Sequence, residues 1–240
     1  VSYAVDMDRP ARIARLKASK LFGRLTDEWL GRLADEAHAR RYEEGEPLWR
    51  TGAPATRFTV IHHGVVQIVQ PTSGGQEALL GLFGPRESIG DAAVLERGSY
   101  PADAIAAIRA AEILEVRAGP ILDALHDDAS LALAFNRALL DHTRALRAKI
   151  TVMSAGSVPQ RLATLLLHLA ERFGDEHEKG EIGIPLPLSR SALARLVGAR
   201  PETVIRCLSR WQKEGWLRTT VGGFELDSLD PLKEALTAGT

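Results

Sequence analysis

Between Ser189 and Arg218 the chain concentrates seven basic residues (Arg190, Arg195, Arg200, Arg206, Arg210, Lys213, Arg218) against two acids, Glu202 and Glu214. That local excess of five positive charges sits in a protein of formal net charge −1. Such concentration is the footprint expected where a surface meets phosphates. At its centre, Pro201-Glu202-Thr203-Val204-Ile205-Arg206 opens a helical pattern. Proline suits a first helical position, where its missing N–H costs nothing and its fixed φ favours nucleation. Val204, Leu208 and Trp211 form the inward stripe, so Glu202, Ile205 and Arg206 point outward. In a DNA-recognition helix the N-terminal residues enter the major groove, where Arg pairs bidentately with guanine and Glu accepts from the cytosine amino group. Glu202, Ile205 and Arg206 are therefore the candidate base readers. Ser189, Arg190, Arg200, Thr203 and Arg210 are the candidate phosphate contacts. The bland alternative is a helical hairpin with a solvated basic face, which leaves the outward set without a purpose.

Other chemistry is thinly represented. A single cysteine, Cys207, excludes a disulfide framework and any clustered-thiol site, an iron–sulfur cluster included, and suits a reducing cytosol. No P-loop, GxSxG, HExxH or Cys–His pair is present, which argues against an enzyme. Asp127-Asp128 and Asp175-Glu176 read as loop and helix-end charges. No metal site is expected. No apolar run approaches the ~20 residues of a membrane span, and the N-terminus lacks a signal-peptide pattern, so the expected location is cytoplasmic and away from membranes.

Three regions position these residues. From Leu21 to about Gly119, short apolar runs alternate with Gly-, Pro- and charge-bearing turns, the rhythm of an antiparallel barrel or roll. Phe58–His62 and Val65–Gln70 read as two strands meeting at His63–Gly64. Before them, LTDEWLGRLADEAHAR has helical spacing, with Thr26 as its cap. From Ser130 to Met153 no Gly or Pro interrupts a helical run. Ala132, Leu139, Leu146 and Met153 recur every seven residues, with Phe135 and His142 in the alternate seam position, as in a two-stranded coiled coil; a helix packed on its own domain is the competing reading. Gly156 and Pro159 mark a hinge. Then LPLSRSALARLVGARPETVIRCLSRWQKEGWL parses as helix, turn, helix, with Ser189 as N-cap, Leu193, Leu196 and Val197 inside and Gly198 in the turn. TTVGGFEL, with its Gly-Gly turn, reads as a hairpin and makes the motif winged.

This order resembles the CRP/FNR superfamily of bacterial transcription regulators. RPETVIR is similar to that family's recognition-helix motif, and GEPLWRTGAPATRFTVIHHGVVQI and ESIGDAAVLERGSYPADA to its β-roll signatures. The resemblance implies an α+β chain: a cyclic-nucleotide-binding-type β-roll over residues 1–128, a dimerisation helix over 129–156 and a winged helix-turn-helix over 157–240. It implies a homodimer on an inverted-repeat DNA site, with RNA polymerase as a further partner. Its effector pocket would involve Gly90, Asp91, Tyr100, Pro101 and Ala102 with His142, Leu146 and Arg147 of the long helix.

Departures from the family bear on the signal. Cyclic-AMP binders carry a Gly-Glu pair and then Arg-Ser; here Gly90-Asp91 precede Pro101-Ala102. The guanidinium and hydroxyl that would hold a cyclic phosphate are absent, and Leu146-Arg147 replace the hydroxyl residues that face the purine, so cyclic AMP is not the expected effector. The Pro201-Glu202-Thr203 form and the Tyr100-Pro101 pair are similar to the nitric-oxide-responsive, denitrification-associated branch, whose members are thought to use haem. His38, His62, His63, His126, His142 and His168 are the conceivable axial ligands, although His168 in LLLHLA reads as buried, and His62 and His63 as strand ends. Two alternatives stay open: a signal-independent DNA binder with the roll as scaffold, and a cyclic-nucleotide-responsive regulator with an atypical cassette.

Overall fold

The computed structural model describes residues 2–71, 77–125, 127–177 and 181–237, the side chains of Arg109 and of part of the long helix excepted. The chain divides into two compact units, Val1–Arg144 and Ala145–Thr240. Among the described residues no helix is long and apolar enough to cross a membrane.

The first unit opens with β1 (Tyr3–Ala4), α1 (Arg9–Ala18), α2 (Asp27–Glu36), β2 (Ala37–Tyr42) and β3 (Pro47–Trp49). It continues through β4 (Arg57–Pro71), β5 (Glu77–Phe83), β6 (Ser88–Ile89), α3 (Asp91–Leu95), β7 (Asp103–Arg117) and α4 (Gly119–Ala124). The first unit also holds the start of α5 (Ala129–Ser154). Its seven-stranded sheet runs β1-β2-β7-β4-β5, with β3 on β7 and β6 on β4, and every pairing is antiparallel.

Two expectations change here. The helix begun at Asp27 ends at Glu36, and Ala37-His38-Ala39-Arg40 pairs with β7 as strand β2. Ala37 and Ala39 are buried while His38 is exposed, the period-two pattern of a strand. The two strands expected around His63–Gly64 are one, β4, whose register slips on both sides of His63. Gly64 takes φ 79°, and a β-carbon there would stand 2.6 Å from the Ala110 carbonyl oxygen. The bend therefore needs glycine.

The roll core centres on three aromatic rings. Phe22 meets Phe58 edge-on at 6.1 Å and Phe135 at 6.3 Å, and Phe58 lies 4.9 Å from Phe135. Phe135 belongs to α5, and Leu131 and Ala134 are buried in the same core. Asp128 ties this end down: it accepts from Trp29 Nε1 (2.5 Å), Ser130 N (2.8 Å) and Ser130 Oγ (2.6 Å). Those bonds, Ser130's first, hold its carboxyl down to about 2.

Phe135, expected in an inter-subunit seam, is thus a core residue of its own roll, because its ring packs against both Phe22 and Phe58. Ala132 is half-buried. The side chains of Leu139, His142 and Leu146 lie outside the described residues. The exposed face of α5 instead carries Leu133, Asn136, Leu140, Thr143, Arg147 and Ile150, in alternating steps of three and four. That is a heptad spacing one residue on from the expected one.

The second unit takes α5 to its end and adds α6 (Val158–Phe173), β8 (Asp175–Glu176) and β9 (Ile182–Ile184). Next come α7 (Arg190–Val197), α8 (Pro201–Lys213), β10 (Leu217–Thr220), β11 (Gly223–Leu226) and α9 (Asp230–Thr237). The break expected near Gly156 separates α5 from α6, and Ser157 with Gln160 forms a capping box on α6. The wing sheet has four strands, β10-β11-β9-β8. Its hairpin turns on Val221-Gly222 rather than on the glycine pair, since Thr220 pairs with Gly223. A β-carbon on Gly223 would collide with the Ile184 carbonyl oxygen of β9; close strand approach, more than the turn, accounts for this second glycine.

Candidate functional site

In the second unit the helix-turn-helix is punctuated as its sequence requires. Ser189 caps α7 by accepting from Ala192 N at 3.0 Å. Gly198 ends α7 with φ 61°, and the Ala199 N–H reaches the Ala194 carbonyl at 2.9 Å. A β-carbon on Gly198 would stand 2.7 Å from Met153 Cε, so the last turn of α5 packs against the elbow. Met153, expected in the seam, remains 42% exposed. Pro201 opens α8, and Arg200 precedes it in extended backbone without a side-chain cap.

Four residues of α8 are buried: Val204, Cys207, Leu208 and Trp211, the last stacked on Trp216 at 5.5 Å. Burial pushes the Cys207 thiol up to about 11, which makes it inert. Glu202, Ile205 and Arg206 occupy the opposite face and are exposed, Ile205 at 45%. The three candidate base readers therefore share the first two turns of one exposed helix face. Thr203 is half-buried at their edge, and Arg200 and Arg210 are exposed on either side.

The candidate phosphate contacts differ in their ties. Arg210 lies 3.9 Å from Glu214. Arg190 is held by the wing: its Nη2 donates to Thr219 Oγ1 at 2.8 Å, and its guanidinium lies over Phe224 at 5.8 Å. Sequence spacing did not reveal this link, since Arg190 and Thr219 are joined only through the wing. Arg190 fixes the start of α7 to the wing as well as presenting a charge.

The candidate effector residues of the roll meet at one place. Gly90 takes φ 77° at the start of α3. Tyr100 stacks on Trp49, and its hydroxyl donates to the Arg57 carbonyl at 3.2 Å. Trp49 Nε1 donates to the Ala102 carbonyl at 3.0 Å. The nearby guanidiniums are already paired, Arg50 with Asp103 at 2.6 Å and Arg57 with Glu115 at 2.8 Å. Asp91 accepts from Ser88 Oγ at 2.5 Å, while its other oxygen is buried without a partner among the described residues. Burial pushes this carboxyl up to about 6 against the opposing Ser88 bond. Pro101 is exposed and Ala102 buried, and neither side chain offers a donor. Arg147 is exposed on α5 in the second unit.

The described histidines do not fit haem. His38 and His63 are exposed on strands, and His62 is only half-buried beside them. His168, expected to be buried, has 28% of its side chain exposed and lies 3.9 Å from Glu171. His126, like the His142 side chain, lies outside the described residues. No cluster of three or more His, Cys, Asp or Glu suited to a metal occurs among the described residues.

Known proteins match both units. Residues 160–235 match the model of the Crp-like helix-turn-helix domain, and residues 39–128 that of the cyclic nucleotide-binding domain. A CRP-like cAMP-activated global transcriptional regulator of Mycobacterium tuberculosis is 30% identical over 182 residues, covering 74% of this chain and 78% of its own. A cyclic AMP receptor protein of Thermus thermophilus is 26% identical over 219 residues, covering 91% of this chain and 97% of its own. The structure of FixK2 from Bradyrhizobium japonicum is similar at a TM-score of 0.71 and 22% identity, over 83% of this chain and 96% of that one.

Proposed function

The chain belongs to the CRP/FNR family of DNA-binding transcription regulators, and we propose that it is a homodimer that reads an inverted-repeat DNA site through Glu202, Ile205 and Arg206. Its matched relatives are regulators rather than enzymes. The observation that carries the reading is the exposed Glu202–Ile205–Arg206 face at the start of α8, set in a surface of local charge +5. Arg206 would pair with a guanine and Glu202 with a cytosine in a TGA- or TTG-like half-site, with Ile205 against a thymine methyl. Arg190, Arg200 and Arg210, with Ser189 and Thr203, would hold the phosphates.

The proposed dimer seam is the exposed α5 face from Leu133 to Ile150. Its three apolar members repeat at heptad positions, and Asn136 among them suits a residue that sets register. Residues 1–128 would then serve as sensor, 129–156 as dimer helix and 157–240 as DNA reader, with RNA polymerase as the next partner.

The proposed input is a ligand other than cyclic AMP. The Mycobacterium relative is named as cAMP-activated, but transfer of that property needs donors for a cyclic phosphate where this chain has Pro101-Ala102. A nitric-oxide input draws support from Pro201-Glu202-Thr203 and Tyr100-Pro101, and none from the described histidines. Binding-site selection on the full chain tests the reading. It should return an inverted repeat with half-sites roughly 34–36 Å apart; enrichment of no sequence would refute it.

A further inference from the structure

On the roll unit, away from Gly90 and Tyr100, an open groove of about 470 Å³ is lined by Lys17, Lys20, Arg24, Arg86 and Arg137, with Leu140 of the proposed dimer face beside them. Among the described residues no acid lines it. Lys17 reaches Asp27 at 3.2 Å and Lys20 reaches Glu87 at 2.8 Å, surface pairs that a better anion can displace. Arg24 and Arg137 have no ion pair among the described residues. Like charges of one sign along a concave wall repel one another unless an anion sits between them.

The groove is built, not merely charged. Ser19 is buried and braces the loop, donating to the Leu16 carbonyl at 2.7 Å and accepting from Phe22 N at 3.0 Å. Gly23 closes it: a β-carbon there would lie 2.5 Å from the Ser19 carbonyl oxygen and 2.6 Å from that of Lys17. Across from it, Gly84-Pro85-Arg86-Glu87 forms a turn, with Glu87 N donating to the Gly84 carbonyl at 3.2 Å. Its third residue takes φ 73°, where such turns favour glycine. This chain holds an arginine there despite the strain. Two bonds clasp loop and turn together: Lys20 N to the Arg86 carbonyl at 2.8 Å, and Arg86 Nε to the Ala18 carbonyl at 3.0 Å. Among the described residues the terminal guanidinium nitrogens of Arg86 make no hydrogen bond.

We propose that this groove binds a small polyanion carrying two or more phosphate groups. Lysine points and arginine forks are the side chains that recognise phosphate oxygens. The volume falls within the range of small-ligand sites and exceeds what one phosphate fills. Among the described residues no aromatic ring lines the groove to stack a base, so the phosphates carry the recognition. The ligand bridges the α1–α2 loop to α5 through Arg137.

Calorimetry on the full chain at constant ionic strength tests this with pyrophosphate, ADP and orthophosphate. Pyrophosphate and ADP should both bind, with orthophosphate at least about tenfold weaker. Arg86→Gly, which relaxes its turn and so preserves folding, should weaken pyrophosphate about tenfold, as should Arg24→Ala with Arg137→Ala. Equal affinities for pyrophosphate and ADP assign a free polyphosphate, and tighter ADP a nucleotide; both support the site. Pyrophosphate binding no tighter than orthophosphate, or undiminished in Arg86→Gly, would overturn it. DNA binding is a separate measurement, so loss of either property leaves the other standing.

Discussion

The Tyr100 ring lies flat on Trp49, with centroids 4.0 Å apart and planes 13° apart, and both rings press on Gly90. A β-carbon on Gly90 would stand 2.6 Å from Tyr100 Cε1 and 3.2 Å from Trp49. Gly90→Ala must also carry a side chain at φ 77°. We expect that variant to lose about 1–3 kcal/mol, read from urea unfolding. An unchanged midpoint would mean the stack is loose.

Cyclic AMP should bind the wild-type protein negligibly. The donors that would meet its phosphate are absent at Pro101-Ala102, and the neighbouring Arg50 and Arg57 are engaged by carboxylates. Calorimetry giving micromolar affinity, about −8 kcal/mol, would show that the nucleotide enters by another arrangement.

Arg206→Ala should cost about 1–3 kcal/mol on the preferred site and flatten discrimination at one base pair. Arg200→Ala should weaken all sequences alike and reduce the salt slope by about one. Arg190→Ala is the less clean probe, because it also releases Thr219 and Phe224 of the wing. Titrations of specific and scrambled duplexes at two salt concentrations separate these effects. An Arg206→Ala variant with intact preference would remove that residue from base reading.

Leu133→Asp with Ile150→Asp places charges on the exposed face of α5 and should yield monomers by sedimentation velocity. Phe135→Ala should behave differently, costing about 3–5 kcal/mol of roll stability by opening a cavity beside Phe22 and Phe58. A dimer that survives the paired aspartates, or a monomer from Phe135→Ala with unchanged stability, would return the seam to its expected register.

Asp91 gives a pH dependence with a definite sign. Its folded carboxyl is pushed up to about 6, above the unfolded value near about 4. The folded state therefore holds the proton more tightly, and this stabilising contribution is complete below about pH 4 and lost as pH rises through about 6. Wild type should lose ground to Asp91→Asn between about pH 4 and 7 in denaturant titrations. A constant difference between the two proteins would contradict the buried carboxyl.

The helix-turn-helix was legible in the sequence because its punctuation is chemical: Ser189, Gly198 and Pro201 each suit only a few backbone positions. The β2 strand was hidden because Ala37 and Ala39 are weak markers of period two, and the strong spacing of Leu25, Trp29, Leu30 and Leu33 ran straight into them. The seam proposed above lies one residue on from the expected one for a related reason. An apolar side chain at helical spacing does not say whether it faces its own sheet or a second copy, and Phe135 satisfies either pattern. The basic groove left no signature, since Lys17, Arg86 and Arg137 are far apart in the chain and meet only after folding.

The long helix is keyed at both ends. Leu131, Ala134 and Phe135 lock its first turns into the roll, and Met153 lodges at the Gly198 elbow, while the two units divide between Arg144 and Ala145. Each key lies within one unit, so each can be cut by itself. A side chain added at Gly198 meets Met153 Cε and disturbs the elbow alone, while a smaller residue at position 135 empties the space beside Phe22 and Phe58 and loosens the roll core alone.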